Sequence, residues 1–263
     1  MIVPRPGSAR PTSFWLDALR RRRNRKDPDL SAPIVWASDE EKRAAVKFFN
    51  AALRAEESGL RQAHELADDV SRWDPDLGEV LRLYGDEEGW HRHLLEGFLD
   101  RIDGSVEPMG PITRIFYAAY ARATRMETIV LTNLMFETIG ATTYRMALRN
   151  IRHPAARRML TVLARDESFH VPLNVHFLRE VLTRDPAARK RVARVHALLF
   201  TSLLILPFAS RPKAMAFDGI PRLTLVRAYA EALGGLFVND PGLGLTPPRW
   251  VSLLVRRAPA FSR

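Results

Sequence analysis

The sequence predicts an all-α protein whose central part is an antiparallel four-helix bundle. Three observations carry this. Apolar residues recur at alternating steps of three and four over four long stretches. Turns containing Pro, Gly or Asp divide those stretches into two hairpins. No segment in the first 185 residues alternates apolar and polar positions between turn signals, as a half-buried strand would.

Residues 1–38 read as a basic extension. Met1 to Pro11 contains Pro and Arg but no apolar core of the kind a secretory signal needs, so a cytoplasmic protein is expected. Phe14, Trp15 and Leu16 form an apolar start, and Arg20 to Arg23, Arg25 and Lys26 follow as a basic run. That run reads either as a solvated helix end or as a docking patch for an anionic partner. The bundle is expected over residues 39–185. Val46, Phe49, Leu53, Leu60, Ala63, Ala67 and Val70 share one face of a helix from Asp39 to Trp73, and Ser38 with Glu41 makes a capping pair at its start. Trp73-Asp74-Pro75-Asp76 ends it and opens the second helix, in which Leu77, Leu81, Tyr84, Leu95, Phe98 and Ile102 run to the breaker Asp103-Gly104. Met126, Val130, Tyr144 and Leu148 mark the third helix and His153-Pro154 the next turn. Leu160, Leu163, Phe177 and Val181 mark the fourth, which ends near Arg184-Asp185-Pro186. Residues 186–263 then form a C-terminal helical extension packed on the bundle. It holds an apolar helix around 187–209, another from Pro221 to Val238, and a Gly/Pro-rich tail with Trp250.

Composition narrows the chemistry. The 263 residues contain no cysteine, which excludes a disulfide framework, zinc-thiolate and iron–sulfur sites, and a thiol nucleophile. Any metal must be held by His, Asp and Glu. The greasiest stretch, Val195 to Ala209, spans 15 residues and includes Thr201, Ser202 and Pro207. It falls short of the roughly 20 that cross a bilayer, so no transmembrane segment is expected. A net charge of +10 favours acidic partners without choosing among nucleic acid, anionic lipid and an acidic protein.

Two Glu-x-x-His motifs stand on the bundle helices, Glu88 to His91 and Glu167 to His170, and no others occur in the chain. Spacing i, i+3 places carboxylate and imidazole on one face. Here that face is the apolar one: Tyr84, Glu88, His91 and Leu95 in the first hairpin, Leu163, Glu167, His170 and Asn174 in the second. A buried carboxylate is costly unless a metal or a partner neutralises it. Glu56 shares that position between Leu53 and Leu60, and Glu137 lies in an otherwise apolar stretch. Glu57 competes with Glu56, although its face also carries Asn50, His64 and Ser71. Each hairpin therefore supplies one Glu opposite one Glu-x-x-His, and the set of Glu56, Glu88, His91, Glu137, Glu167 and His170 suits two hard divalent ions. Glu87 and Asp166, each preceding a ligand candidate, read equally as partners of a ligand His or as solvated helix acids. Tyr84 and Tyr144 either line an oxygen pocket or simply pack, and His64 reads as a polar-face residue.

The fragments AEESGL (55–60), EEGWHRHLL (87–95), FETIG (136–140) and ARDESFH (164–170) carry a resemblance to the ferritin-like di-iron carboxylate superfamily. In motif layout the chain is most similar to acyl-carrier-protein desaturases and di-iron N-oxygenases, with Leu163 where arylamine N-oxygenases carry an extra His. The resemblance covers 39–185 and implies a ferritin-like bundle with two Fe ions, or Mn or mixed Fe/Mn. By it, Glu56 and His91 would bind one ion, Glu137 and His170 the other, and Glu88 with Glu167 would bridge. It further implies that the second and third helices run parallel, with Asp103 to about Arg122 returning along the bundle and Pro108, Gly110 and Pro111 in its extended part. The expected activity is an oxidase or oxygenase that activates dioxygen to oxidise an organic substrate, small or carrier-tethered, with a separate electron donor. A second reading is a metal-binding or ferroxidase-type protein without an organic substrate, and a third an RNA hydroxylase, for which no RNA-binding module is found. In the C-terminal extension Phe200, Leu203, Leu204, Ile205, Phe208 and Phe217 either wall a hydrophobic pocket, extend the core or form a homodimer interface.

Overall fold

The computed structural model describes residues 10–210, 214–238 and 240–248. Trp250 and the chain start before Arg10 lie outside them. Among the described residues there are no strands. The helices are α1 (Thr12–Arg22), α2 (Asp39–Ser71), α3 (Pro75–Arg101), α4 (Pro111–Ala121), α5 (Met126–Asn150), α6 (Pro154–Arg184), α7 (Ala188–Ser210), α8 (Met215–Asp218) and α9 (Arg222–Val238), followed by a 3-10 turn at Pro241–Leu243. The expected stops and starts operate. The Ser38 hydroxyl accepts from Glu41 N, and the Glu41 carboxylate accepts from Ala37 N. Asp74 caps α3 ahead of Pro75, and Pro154 opens α6 at its first position, where a missing N–H costs nothing.

The bundle is α2, α3, α5 and α6. The ends of its helices fix their directions. Asn50, near the start of α2, donates to Ser105 O and accepts from Glu107 N just past the end of α3. His153, in the turn after α5, lies 3.1 Å from Glu41 at that same end of α2. At the opposite end, Arg184 at the close of α6 stacks its guanidinium over Trp73 in the α2–α3 turn. Thus α3 and α5 both run antiparallel to α2 and parallel to each other, and residues 102–125 return along the bundle, as the resemblance implies. The return is more ordered than expected: Gly110 and Pro111 cap and open the helix α4 rather than extending the chain.

Two further departures matter. The apolar start before the basic run is part of α1, whose Trp15, Leu16 and Leu19 are buried against the bundle. Trp15 meets Phe169 of α6 edge-on and stacks near His176. And Leu60 is only half-buried, the inward position of that turn being taken by Gly59. One apolar core extends from Trp15 through the bundle to Leu245, with α7 and α9 packed on α5. Phe200, Leu203, Leu204 and Phe217 are buried in it, while Ile205 and Phe208 are exposed. The first four therefore extend the core.

Candidate metal centre

Six side chains converge at mid-bundle, one acid from each of α2 and α5 and an acid with a His from each of α3 and α6. Glu56, Glu88, His91, Glu137, Glu167 and His170 are all buried, the two imidazoles completely. The heptad phase decides between neighbours on α2: Glu56 is buried, whereas Glu57 is exposed and pairs with Arg54 on the surface. His64 is also at the surface, 3.6 Å from Asp86.

The ligand-type atoms form two overlapping groups. Glu56, Glu88 and His91 make one and Glu88, Glu137 and His170 the other, each with its three atoms within 4.8 Å of one another. Glu88 is common to both. His170 Nδ1 lies 2.9 Å from Glu88 Oε1, 3.5 Å from Glu137 Oε2 and 3.8 Å from Glu167 Oε2, and His91 Nδ1 lies 3.1 Å from Glu56 Oε2. Gly59 permits the crowding, since a Cβ there would stand 2.9 Å from Glu88 Oε2.

Electrostatics follow from burying so many acids together. Burial pushes the Glu88 carboxyl well above the ordinary carboxylate range, and the charges of Glu56 and Glu137 push it further. Burial alone would lower His91, but Glu56 and Asp166 hold its proton and raise it to about 10. His170 is raised for the same kind of reason, by Glu88, Glu137 and Glu87 against its burial. Burial would raise Glu56 too, yet the neighbouring imidazoles bring it below its usual value. Tyr84 and Tyr144 border the acids, their hydroxyls donating to Glu137 and Glu56 respectively. Burial, then the nearby carboxylates, holds both phenols far above their normal range.

Beyond the six lies a shell that the sequence left open or missed. Glu87 and Asp166 are buried, not solvated, and each holds the His of the opposite motif: Asp166 Oδ2 is 3.1 Å from His91 Nε2, and Glu87 Oε2 is 3.0 Å from His170 Nε2. Both acids are tied to α1. Arg22 donates from Nε to Glu87 (2.8 Å) and from Nη2 to Asp166 (2.9 Å), and Arg25 donates to both as well. The reading of the whole basic run as a solvated end or docking patch is corrected here: Arg22 is only 3% exposed, because α1 lays that turn across α3 and α6. A sequence signal existed. Val80, Leu83, Glu87 and Leu94 form a second buried line on α3, which a helix outside the bundle must cover.

A cleft of about 390 Å³, counting the space at its mouth, opens beside the acids between α2, α4 and α5. Ala55, Ser58, Tyr117, Asn133, Phe136 and Gly140 line it with the carboxylates. Tyr117 of α4 stacks on Phe136 with ring centres 6.0 Å apart, and Tyr120 donates to Asn133. None of the α7 residues expected to wall a pocket lines this cleft.

No family model matches the chain, and no curated protein does. Solved structures do. A Synechococcus protein with aldehyde deformylating oxidase activity aligns with a TM-score of 0.63 at 20% identity, covering 86% of this chain and 100% of that one. Two variants of an R2-like ligand-binding oxidase, one with an anaerobically and one with an aerobically reconstituted Mn/Fe cofactor, align at 15% identity with TM-scores of 0.65 and 0.64. Each covers 89% of this chain, and the chain covers 94% and 95% of them. At such identities the likeness is one of architecture, and the chain has the ferritin-like helical fold, with helices added before, between and after the four of the bundle.

Proposed function

We propose that the protein is a non-haem di-metal oxidoreductase, using two iron ions or an iron–manganese pair to oxidise an organic substrate with dioxygen. The observation that carries this is the buried cluster itself. Glu88 Oε1, Glu137 Oε2 and His170 Nδ1 are buried and close together, the imidazole nitrogen 2.9 and 3.5 Å from the two oxygens without a well-aligned hydrogen bond, and they point into one small volume. Four carboxylates there match two divalent ions, whereas one ion would leave negative charge buried. The donor set is oxygen-rich with one imidazole per ion, which suits iron and manganese.

Glu56 and His91 would hold one ion, Glu137 and His170 the other, and Glu88 with Glu167 would lie between them. Such a pair, when bound and reduced, supplies two electrons to dioxygen. The chain's own residues do the rest. Nδ1 of each imidazole faces the acids because Nε2 is held from behind. Tyr84 and Tyr144 hold Glu137 and Glu56 in place and stay protonated. Tyr117 stacks on Phe136 beside the carboxylates, and the small and aromatic lining of the cleft suits a largely apolar substrate end. The exposed remainder of the basic run, Arg21, Arg23 and Lys26, suits an acidic electron donor.

Metal content per chain after iron reconstitution tests the reading. Wild type should hold two ions, and Glu167→Ala should lose both together with oxygen consumption. Zero metal in wild type, or unchanged stoichiometry in the variant, would sink it. Substrate-dependent oxygen uptake, without formation of an iron-loaded shell, separates the oxidase from a ferroxidase.

A further inference from the structure

We propose that Arg22 and Arg25 are positioning residues of the metal centre: through Glu87 and Asp166 they fix both imidazoles, each from the hairpin opposite its own. This rests on the two-ion reading and extends it outward to α1.

The wiring is reciprocal. Glu87 sits beside Glu88 on α3 but holds His170 of α6, and Asp166 sits beside Glu167 on α6 but holds His91 of α3. A carboxylate has two oxygens and can turn about its stem. Left alone, Glu87 and Asp166 would set neither the angle of the rings nor which nitrogen faces inward. Arg22 spans both acids with Nε and Nη2, and the fork of the guanidinium is rigid. Arg25 spans the same two acids from the next turn of chain, and its Nε is anchored on Arg22 O. Arg22 is further held over the ring of Phe169, 4.3 Å from its centre, so its own position is not free.

Charge supports the same assignment. The inner four acids match two divalent ions, and the outer two are matched separately by Arg22 and Arg25. Arg165 adds a third cation at Asp166 alone, and its side chain is half exposed. It cannot couple the two rings. Arg20 provides the contrast on the same helix: it pairs with Glu79 at the surface, with both side chains more than 40% exposed, and touches neither outer acid.

The test uses the full chain. Metal-free Arg22→Gln/Arg25→Gln is compared with wild type by Co(II) titration and by NMR of the histidine ring nitrogens before any metal is added. Loss of such outer partners costs about 10- to 100-fold in metal affinity, and that weakening is expected for both ions. In the metal-free protein the ring-nitrogen signals of His91 and His170 should both shift as their Nε2 partners turn away. Arg20→Gln should change neither readout, and Arg22→Lys, which keeps charge without the fork, should recover only part of the loss. If the double variant does not fold, Arg25→Gln, at a partly exposed side chain, should still shift both rings. Wild-type affinity with unshifted rings in these variants overturns the proposal, as does an equal effect of Arg20→Gln, which would mean that docking of α1 alone matters. Wild type that binds no Co(II) would instead sink the two-ion reading, while the ring-nitrogen comparison would still decide the clamp.

Discussion

At Gly59 the needs of the helix and of the site oppose each other. A glycine inside α2 costs about 1 kcal/mol relative to alanine. A Cβ at that point would meet Glu88 Oε2 at 2.9 Å, the far end of a flexible side chain that can swing aside cheaply. Gly59→Ala should therefore keep or raise the melting temperature of the metal-free protein while weakening metal binding, because the carboxylate common to both proposed ion sites is the group displaced. Calorimetry and metal titration on the same variant check the two halves, and a drop in metal-free stability with intact binding would refute the argument. The sequence made Glu88 legible through its spacing to His91, since two polar groups on an apolar stripe stand out. Gly59 stayed hidden because a glycine has no hydropathy signature, and its role exists only once α3 lies against α2.

The four long helices were legible for a different reason. Each has a broad apolar stripe, α2 and α3 also have side-chain caps and α6 an opening proline, and those local signals agree with the tertiary packing. The helices α1 and α4 were not, since each spans only 11 residues and draws its order from the surface it covers. For α4 the Gly110-Pro111 pair fits an extended segment as well as a helix start, and only the seats for Tyr117 and Tyr120 on α5 decide between them. The C-terminal helices carry a prediction of their own. His196 of α7 is buried between Phe200 and Phe237, its Nε2 without a hydrogen bond, and burial lowers its pKa to about 4 from an ordinary 6.5. A histidine depressed in the folded state contributes stability that is fully present above the unfolded value and is lost as pH falls through the folded one. The melting temperature should thus fall between pH 6.5 and 4, by up to roughly 10 °C for this group. His196→Leu should flatten that slope without changing metal content. His176 on α6, also lowered to about 4 by burial and then Arg179, leaves a remaining slope. An identical slope in the variant would show that His196 does not titrate as argued.

For the molecule as a whole, the ions and the apolar faces have separate tasks. The core runs unbroken from α1 to the last turn, so it holds the helices together without metal. The like charges at its centre are neutralised only partly by the imidazoles. Each bound ion should stabilise the native chain by about 4 kcal/mol at a thousandfold excess over its dissociation constant, and the two together by about 8 kcal/mol. Chelation should therefore lower the melting temperature by roughly 20 °C while leaving helical content unchanged, as far-ultraviolet circular dichroism can show. A chelated protein that loses its helices would mean that the metal is required for the fold itself. The parallel course of α3 and α5 extends this to the order of assembly. Each antiparallel pair, α2 with α3 and α5 with α6, is closed by a short turn and makes extensive contact within itself, while the two pairs touch each other sparsely. Chain entropy favours the near contacts, so each pair can collapse early and alone. Each then holds half the proposed donors: Glu56, Glu88 and His91 in one, Glu137, Glu167 and His170 in the other. Neither half is a two-ion site, and each imidazole still lacks the acid that aims it, because that acid rides on the other pair. The centre can come into being only after the pairs have met, and bound metal becomes a rivet across the seam where the molecule is otherwise most ready to part.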